Sequence, residues 1–145
     1  MHILIIGGTR FMGPRVVRRL ADEGHAVTLF HRGETKADLP EGVKEILGPR
    51  RDLSSFAGEF RAAKPDVVLD MIAYTEEDAR DLVNVFKGVA RRAVVISSAD
   101  VYRAYGRLLL LESGPPDPVP FSENAPLRET LYPRRAHAKA LDDSG

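Results

Sequence analysis

Gly7, Gly8 and Gly13, with Thr9, Arg10, Phe11 and Met12 between them, form the stretch whose residue types and spacing bear most directly on chemistry. Three glycines within seven residues give a backbone that turns sharply and can approach a ligand closely. Where such a turn opens a helix, the unpaired N–H groups and the positive end of the helix dipole suit a pyrophosphate. A strict G-x-G-x-x-G starting at Gly8 has glycine at position 10, where this chain has Arg10. A glycine cluster is also compatible with a plain tight loop, so its context decides. Ile3-Leu4-Ile5-Ile6 precedes it, an unbroken apolar run that suits a parallel strand covered on both faces. Pro14 follows, then Val16, Val17, Leu20 and Ala21 at helical spacing. Strand, glycine turn and helix together favour a phosphate cradle. Gly7 and Gly8 are expected to make the turn, and Gly13 to let the helix lie close to the sheet.

Other chemistry-bearing residues give weaker signals. Ser98 follows an apolar run and is either a hydrogen-bonding hydroxyl of a site or a local cap. Asp70, inside a strand pattern, reads as a hydrogen-bonded structural carboxylate before a functional one. His2, His25, His31 and His137 lack metal-ligand spacing, so no metal site is expected. There is no Gly-x-Ser-x-Gly elbow, and no hydrolase triad order. The absence of Cys excludes a disulfide scaffold and thiolate chemistry. Lys and Arg number 21 and Asp and Glu number 21, so no global field recruits nucleic acid or an anionic membrane. Arg15, Arg18 and Arg19 read as the solvated face of the first helix rather than an RNA surface. The apolar runs are too short to span a bilayer, and Met1 leads straight into a core strand. A cytoplasmic protein without a signal peptide is the expectation.

The elements that must position these residues alternate. After the strand Ile3–Ile6 comes a helix from Pro14 to Glu23, stopped at Gly24. His25 to Phe30 reads as a strand, 34–42 as a loop, and Val43 to Leu47 as a strand closed by Gly48-Pro49. A helix is expected from Ser54 to Ala63, ended by Pro65. Asp66 to Ile72 is a strand with Val67, Val68, Leu69 and Met71 in its core. Thr75 caps the next helix in an approximate capping box, with Ala79, Leu82, Val83 and Phe86 on its apolar face. Ala93 to Ile96 is the fifth strand. Leu108 to Leu111 is apolar, 114–120 is too proline-rich for regular structure, and His137 to Leu141 starts a helix. At 145 residues this is one α/β domain, a doubly wound parallel sheet of order 3-2-1-4-5, with its crevice outside strands one and four. Such folds usually carry a further strand and helix, so the C-terminal part is expected to be truncated.

Three stretches together resemble one family. Ile6-Gly7-Gly8-Thr9-Arg10-Phe11-Met12-Gly13, then Ser97-Ser98-Ala99-Asp100-Val101-Tyr102, then Pro120-Phe121-Ser122-Glu123 follow the order and spacing of the extended short-chain dehydrogenase/reductases, the NAD-dependent epimerase/dehydratase family. The Gly-Gly-Thr-Arg-Phe form resembles an atypical branch that includes chloroplast stem-loop RNA-binding proteins. The resemblance implies a Rossmann-like nucleotide-binding fold and hydride transfer between a nicotinamide and a substrate carbinol, of the sugar-nucleotide kind. It implies that the loop from Gly7 to Gly13 holds the pyrophosphate. His31 and Arg32 stand where members often place an acid for the adenosine ribose. Pro49 stands where an aspartate often contacts adenine, with Asp52 three residues on. Ala73 matches the small residue beside the cofactor, and Ser98 the serine that hydrogen-bonds the substrate oxygen.

The family's tyrosine, with a lysine four residues later, has no counterpart here. Ala136 follows Tyr132 at that distance, Lys139 is seven residues away, and Pro133 interrupts. The chain is therefore expected to bind a dinucleotide without turnover, the substrate lobe being largely absent. The basic residues at the second strand's end and in the glycine loop predict NADP, with NAD possible. An apolar edge strand predicts a homo-oligomer. The alternative is a non-catalytic dinucleotide-binding or RNA-binding member, favoured by an exposed stripe of Arg15, Arg18, Arg19, Arg50 and Arg51.

Overall fold

The computed structural model describes residues 1–131, which form two compact units: Met1–Ile96, and the chain from Ser97 onward. Tyr132, Pro133, Ala136, Lys139 and the expected helix start at His137–Leu141 lie outside the described residues.

Unit 1 is a five-stranded parallel sheet of order β3-β2-β1-β4-β5. Its strands are β1 (His2–Ile6), β2 (Ala26–His31), β3 (Lys44–Leu47), β4 (Val67–Asp70) and β5 (Arg92–Val95), and its helices are α1 (Gly13–Asp22), α2 (Ala57–Ala63) and α3 (Glu76–Phe86). In β1 the register places Ile6 beside Phe30 of β2 and Asp70 of β4. Its apolar run buries both faces, as a central parallel strand requires. Leu4 and Ile6 pack with Phe60 of α2 and Leu82 and Phe86 of α3; Ile3 and Ile5 pack with Val17 of α1. Helices thus cover the sheet on both sides.

Local departures from the sequence expectation have local causes. His25 donates its N–H to Leu20 O and Gly24 to Ala21 O, closing α1 in a Schellman motif at Gly24, φ +79°. That use of His25 delays β2 to Ala26 and carries it on to His31. The helix expected from Ser54 begins as a 3-10 segment, Arg50–Phe56, and turns α-helical only at Ala57. Within it the chain kinks at Asp52 (φ −106°, ψ 26°), and Arg50 and Leu53 are buried. Phe56 rests on Phe30, ring centroids 5.0 Å apart. β4 ends at Asp70 because the Asp70 side chain takes the Ile72 N–H at 3.0 Å and bends the chain. In α3 the buried stripe is Leu82, Val85 and Phe86; Val83, expected inside, is 57% exposed. At 100° per residue it lies a quarter turn round from Leu82. The β5 edge exposes Val94 and Val95, and Ile96 after it.

Unit 2 holds a 3-10 turn, Ala99–Val101, and α4 (Arg103–Leu108), which the sequence did not suggest. Asp117 accepts from both Arg103 and Arg107, and Asp100 pairs with Arg128 at 2.7 Å. Leu108 and Leu110 are exposed. No helix of the described residues is long and apolar enough to cross a membrane.

Candidate functional site

A crevice of about 960 Å³ opens at the C-terminal end of the sheet, lined throughout by unit 1. Its floor is the turn between β1 and α1. Gly7 and Gly8 both have φ near +90°, a backbone region that side chains resist. The Gly7 N–H bonds to Phe30 O at 2.9 Å and ties the turn to β2. Gly13, the first residue of α1, sits against Gly8: a Cβ on Gly13 would meet the Gly8 backbone at 2.5 Å. The close approach that the sequence assigned to helix and sheet is therefore between helix and turn. Phe11 adopts φ +54° and leaves its ring 94% exposed. Among the described residues, the backbone N–H groups of Phe11 and Met12 donate to no protein acceptor. The first turn of α1 carries no acid and no side-chain cap. Free donors, a helix start and the absence of a competing carboxylate are what an anionic group requires.

One rim lies at the end of β2. His31 is buried, its Nδ1 accepting from the Gly33 N–H at 3.1 Å and its Nε2 2.8 Å from Glu45 Oε1. With Nδ1 accepting, Nε2 carries the proton and donates to Glu45. His31 is thus a fixed wall whose ring nitrogens are both engaged. Arg32 is half-exposed and pairs with Glu34 at 2.9 Å. Arg10 donates Nε to Thr35 Oγ1 at 2.7 Å and has no carboxylate partner among the described residues. Thr9, Arg10, Phe11, Met12, His31 and Arg32 all line the crevice with Gly7 and Gly8.

The other wall comes from the loops after β3 and β4, and it holds a residue that sequence reasoning did not place there. Arg50, one of the five arginines whose exposure as a stripe would favour the RNA-binding alternative, is buried. Its Nε and Nη2 reach Asp70 Oδ2 at 3.1 and 3.0 Å, Nη2 also donates to the Asp78 carbonyl, and Nη1 lies 3.8 Å from Asp78 Oδ1. Arg15, Arg18, Arg19 and Arg51 are exposed, Arg18 paired with Asp38 and Arg19 with Glu23, so the stripe lacks Arg50 alone. Asp70, fully buried, is the structural carboxylate the sequence favoured; burial raises its pKa against the pull of the Ile72 N–H and Arg50. Burial also pushes at Asp78, but hydrogen bonds from Tyr74 and Thr75 and the Arg50 charge hold its carboxyl below the usual value. Asp52 does not line the crevice; it is half-exposed and 3.9 Å from Arg51. Ala73 lies between two lining residues, Ile72 and Tyr74. Ser98 belongs to unit 2, where its Oγ accepts the Asp100 N–H at 3.2 Å as an N-cap. No cluster of metal-ligating side chains occurs among the described residues.

A doubly wound parallel sheet with a glycine turn opening its first helix defines an α/β unit of the nucleotide-binding type. Its sequence is specific enough to go further. The chain belongs to the NAD dependent epimerase/dehydratase family, whose model matches residues 3–140. It is 35% identical over 98 residues to the 2'-dehydrokanamycin reductase of Streptomyces kanamyceticus, covering 68% of this chain and 28% of that protein. It is 32% identical over 113 residues to the chloroplast stem-loop binding protein of 41 kDa b of Arabidopsis thaliana, covering 69% and 30%. Among solved structures, the Bordetella bronchiseptica enzyme WbmG in complex with NAD superposes with a TM-score of 0.69 at 20% identity, over 88% of this chain and 44% of that one. The UDP-glucose 4-epimerase of Bifidobacterium longum with NAD+ and UDP gives 0.69 at 19%, over 99% and 49%. The chain spans under a third of the curated relatives and about half of the solved chains.

Proposed function

We propose that the crevice of unit 1 binds a nicotinamide dinucleotide, and that the chain is the cofactor-binding part of an epimerase, dehydratase or reductase that acts by hydride transfer on a carbinol of the sugar-nucleotide kind. The observation that carries this is the glycine turn: two left-handed glycines, a third pressed on the turn backbone, and free N–H groups at Phe11 and Met12 at a helix start. These residues fit a pyrophosphate, and a bound dinucleotide would supply the hydride carrier. Family membership and NAD-bound structural neighbours support the reading.

NADP is the preferred form in this proposal. Arg10 is the basic group of the crevice without a carboxylate partner, whereas Arg32 is occupied by Glu34. Ser98 is the proposed donor to a substrate oxygen; its Oγ accepts from Asp100, which leaves its proton free to give. An RNA-binding role draws on the stem-loop relative alone, and the burial of Arg50 takes one residue from the stripe that would support it. Isothermal titration with NADPH and NADH tests the reading. NADPH is expected to bind more tightly, and Arg10→Ala to remove that advantage while Arg32→Ala removes less. Failure of both nucleotides to bind refutes the proposal, and equal affinities refute its NADP part.

A further inference from the structure

The chain has no cysteine and three methionines, so all of its sulfur is thioether. Met1 is 66% exposed and precedes β1, at the end of the sheet away from the crevice. Met71 lines the crevice but is partly buried against the core of Ile3, Ile5 and Val17. Met12 also lines the crevice, is 43% exposed and belongs to neither core cluster. It is the N-cap of α1, and no side chain caps that helix. Among the described residues its own N–H and that of Phe11 donate to no protein acceptor.

We propose that Met12 is a site of reversible oxidation, at which peroxide closes the anion site of the glycine turn. The inference rests on the dinucleotide reading above. The thioether lone pair attacks a peroxide oxygen: an S–O bond forms, the O–O bond breaks, and hydrogen peroxide leaves as water. Sulfur is oxidised to the sulfoxide and the peroxide is reduced. An apolar side chain thereby gains a strong acceptor, at the same reach from Cα as the amide oxygen of glutamine. Glu and Gln side chains of that reach fold back onto backbone N–H groups at helix starts, as in a capping box. The sulfoxide oxygen therefore competes with a pyrophosphate for the free donors and sets its lone pairs against the anion. A dithiol reductant reverses the step, the oxygen leaving as water while the two thiols become a disulfide. With no Cys in the chain, those thiols belong to another molecule. Oxidative damage is the plain alternative, because a sulfoxide in a core disrupts packing. Position separates the two: oxidation of Met71 threatens the core, and oxidation of Met12 does not.

The full 145-residue chain is treated with dilute hydrogen peroxide, freed of it, mapped by peptide mass spectrometry and titrated with NADPH. Met1 and Met12 are expected to oxidise before Met71. NADPH affinity is expected to fall about tenfold or more in step with Met12, with the urea midpoint unchanged. Met12→Gln carries an oxygen at the same reach and is expected to bind as weakly as the oxidised chain. Met12→Leu has no sulfur there, and peroxide is expected to leave its affinity, whatever it is, unchanged. Methionine sulfoxide reductases with dithiothreitol are expected to restore wild-type binding. Undiminished affinity after Met12 is oxidised overturns the inference and leaves dinucleotide binding standing. Oxidation of Met71 ahead of Met12, a fall that persists in Met12→Leu, or one that tracks unfolding in the melts also overturns it. Absence of NADPH binding before peroxide overturns the dinucleotide reading and this inference with it.

Discussion

Gly13→Ala is the sharpest perturbation of the glycine turn, because it adds one methyl group where the structure has no room. The new Cβ would stand 2.5 Å from the Gly8 carbonyl carbon, Cα and oxygen, all of them backbone. A backbone neighbour cannot swing aside as a side-chain end can, so turn and helix must part. Overpacking of this size costs about 1–3 kcal/mol. Gly13 is the first residue of α1, outside the helix interior where alanine is favoured over glycine, so the net loss stays at about 1–3 kcal/mol. Gly58 supplies the control. It lies inside α2 with nothing within 4 Å of a built Cβ, so Gly58→Ala is expected to gain about 0.4–1 kcal/mol. Urea melts followed by circular dichroism measure both, and NADPH titration should show Gly13→Ala weakened and Gly58→Ala unchanged. Equal stability of Gly13→Ala and wild type would refute the packing argument, and undiminished binding would refute the role of the turn.

Other substitutions follow from the ion pairs and the sheet edge. Asp70→Asn leaves Arg50 charged and buried without its partner and is expected to cost about 3–5 kcal/mol, whereas Asp38→Asn breaks an exposed pair with Arg18 and should cost under about 1 kcal/mol in the same melts. Asp78 has its folded pKa depressed below 3.8, so its stabilising share is present above that pH and lost as pH falls through the folded value; wild type and Asp78→Asn should converge in stability below pH 3.8, and parallel curves would refute this. Asp70 runs the other way, its raised pKa favouring the fold below 3.8 and less as pH rises through the raised value, so the acid limb carries both contributions. The exposed β5 edge should drive reversible self-association that Val94→Lys reduces, and light scattering of a clean monomer at high concentration would count against it.

The alternation of strands and helices was legible because each element carries its own period. Ile3 to Ile6 reads as a buried strand with no knowledge of its neighbours, and the sheet order follows from connection rules once five such strands are placed. The glycine turn was legible for the same reason: the demand for space is written in consecutive residues. Boundaries shifted where a side chain or a cap took over the backbone, as Asp70 does at Ile72 and the Schellman motif does at His25. Val83 was misassigned because two adjacent apolar residues both look buried, and only packing against Val68 and Phe60 shows that Leu82 is the one. The position of Gly13 was right, but its partner was the backbone of Gly8 rather than the sheet.

Arg50 shows why the second wall of the crevice could not be read in the same way. In sequence it stands beside Arg51, near a loop, in a chain with balanced charge, and an exposed cation is the default for such a residue. What reverses the default is an acid 20 positions away at the end of β4 and another 28 positions away in α3. Neither spacing has a periodic signature, because both are fixed by the sheet order that brings the β3 and β4 loops to one end. The segment after β3 adds the last condition, since it kinks at Asp52 and buries Arg50 and Leu53 while Arg51 stays in solvent. A buried arginine with one nitrogen lacking a hydrogen bond is costly to keep, and the 3.8 Å ion pair of that nitrogen with Asp78 offsets only part of the cost. Its contact with Asp78, the residue that also fixes Tyr74 and Thr75, places that cost where one wall of the crevice is held in shape. The glycine wall accommodates a ligand by leaving space, and the Arg50 wall by holding charges still; only the first leaves a mark in neighbouring residues.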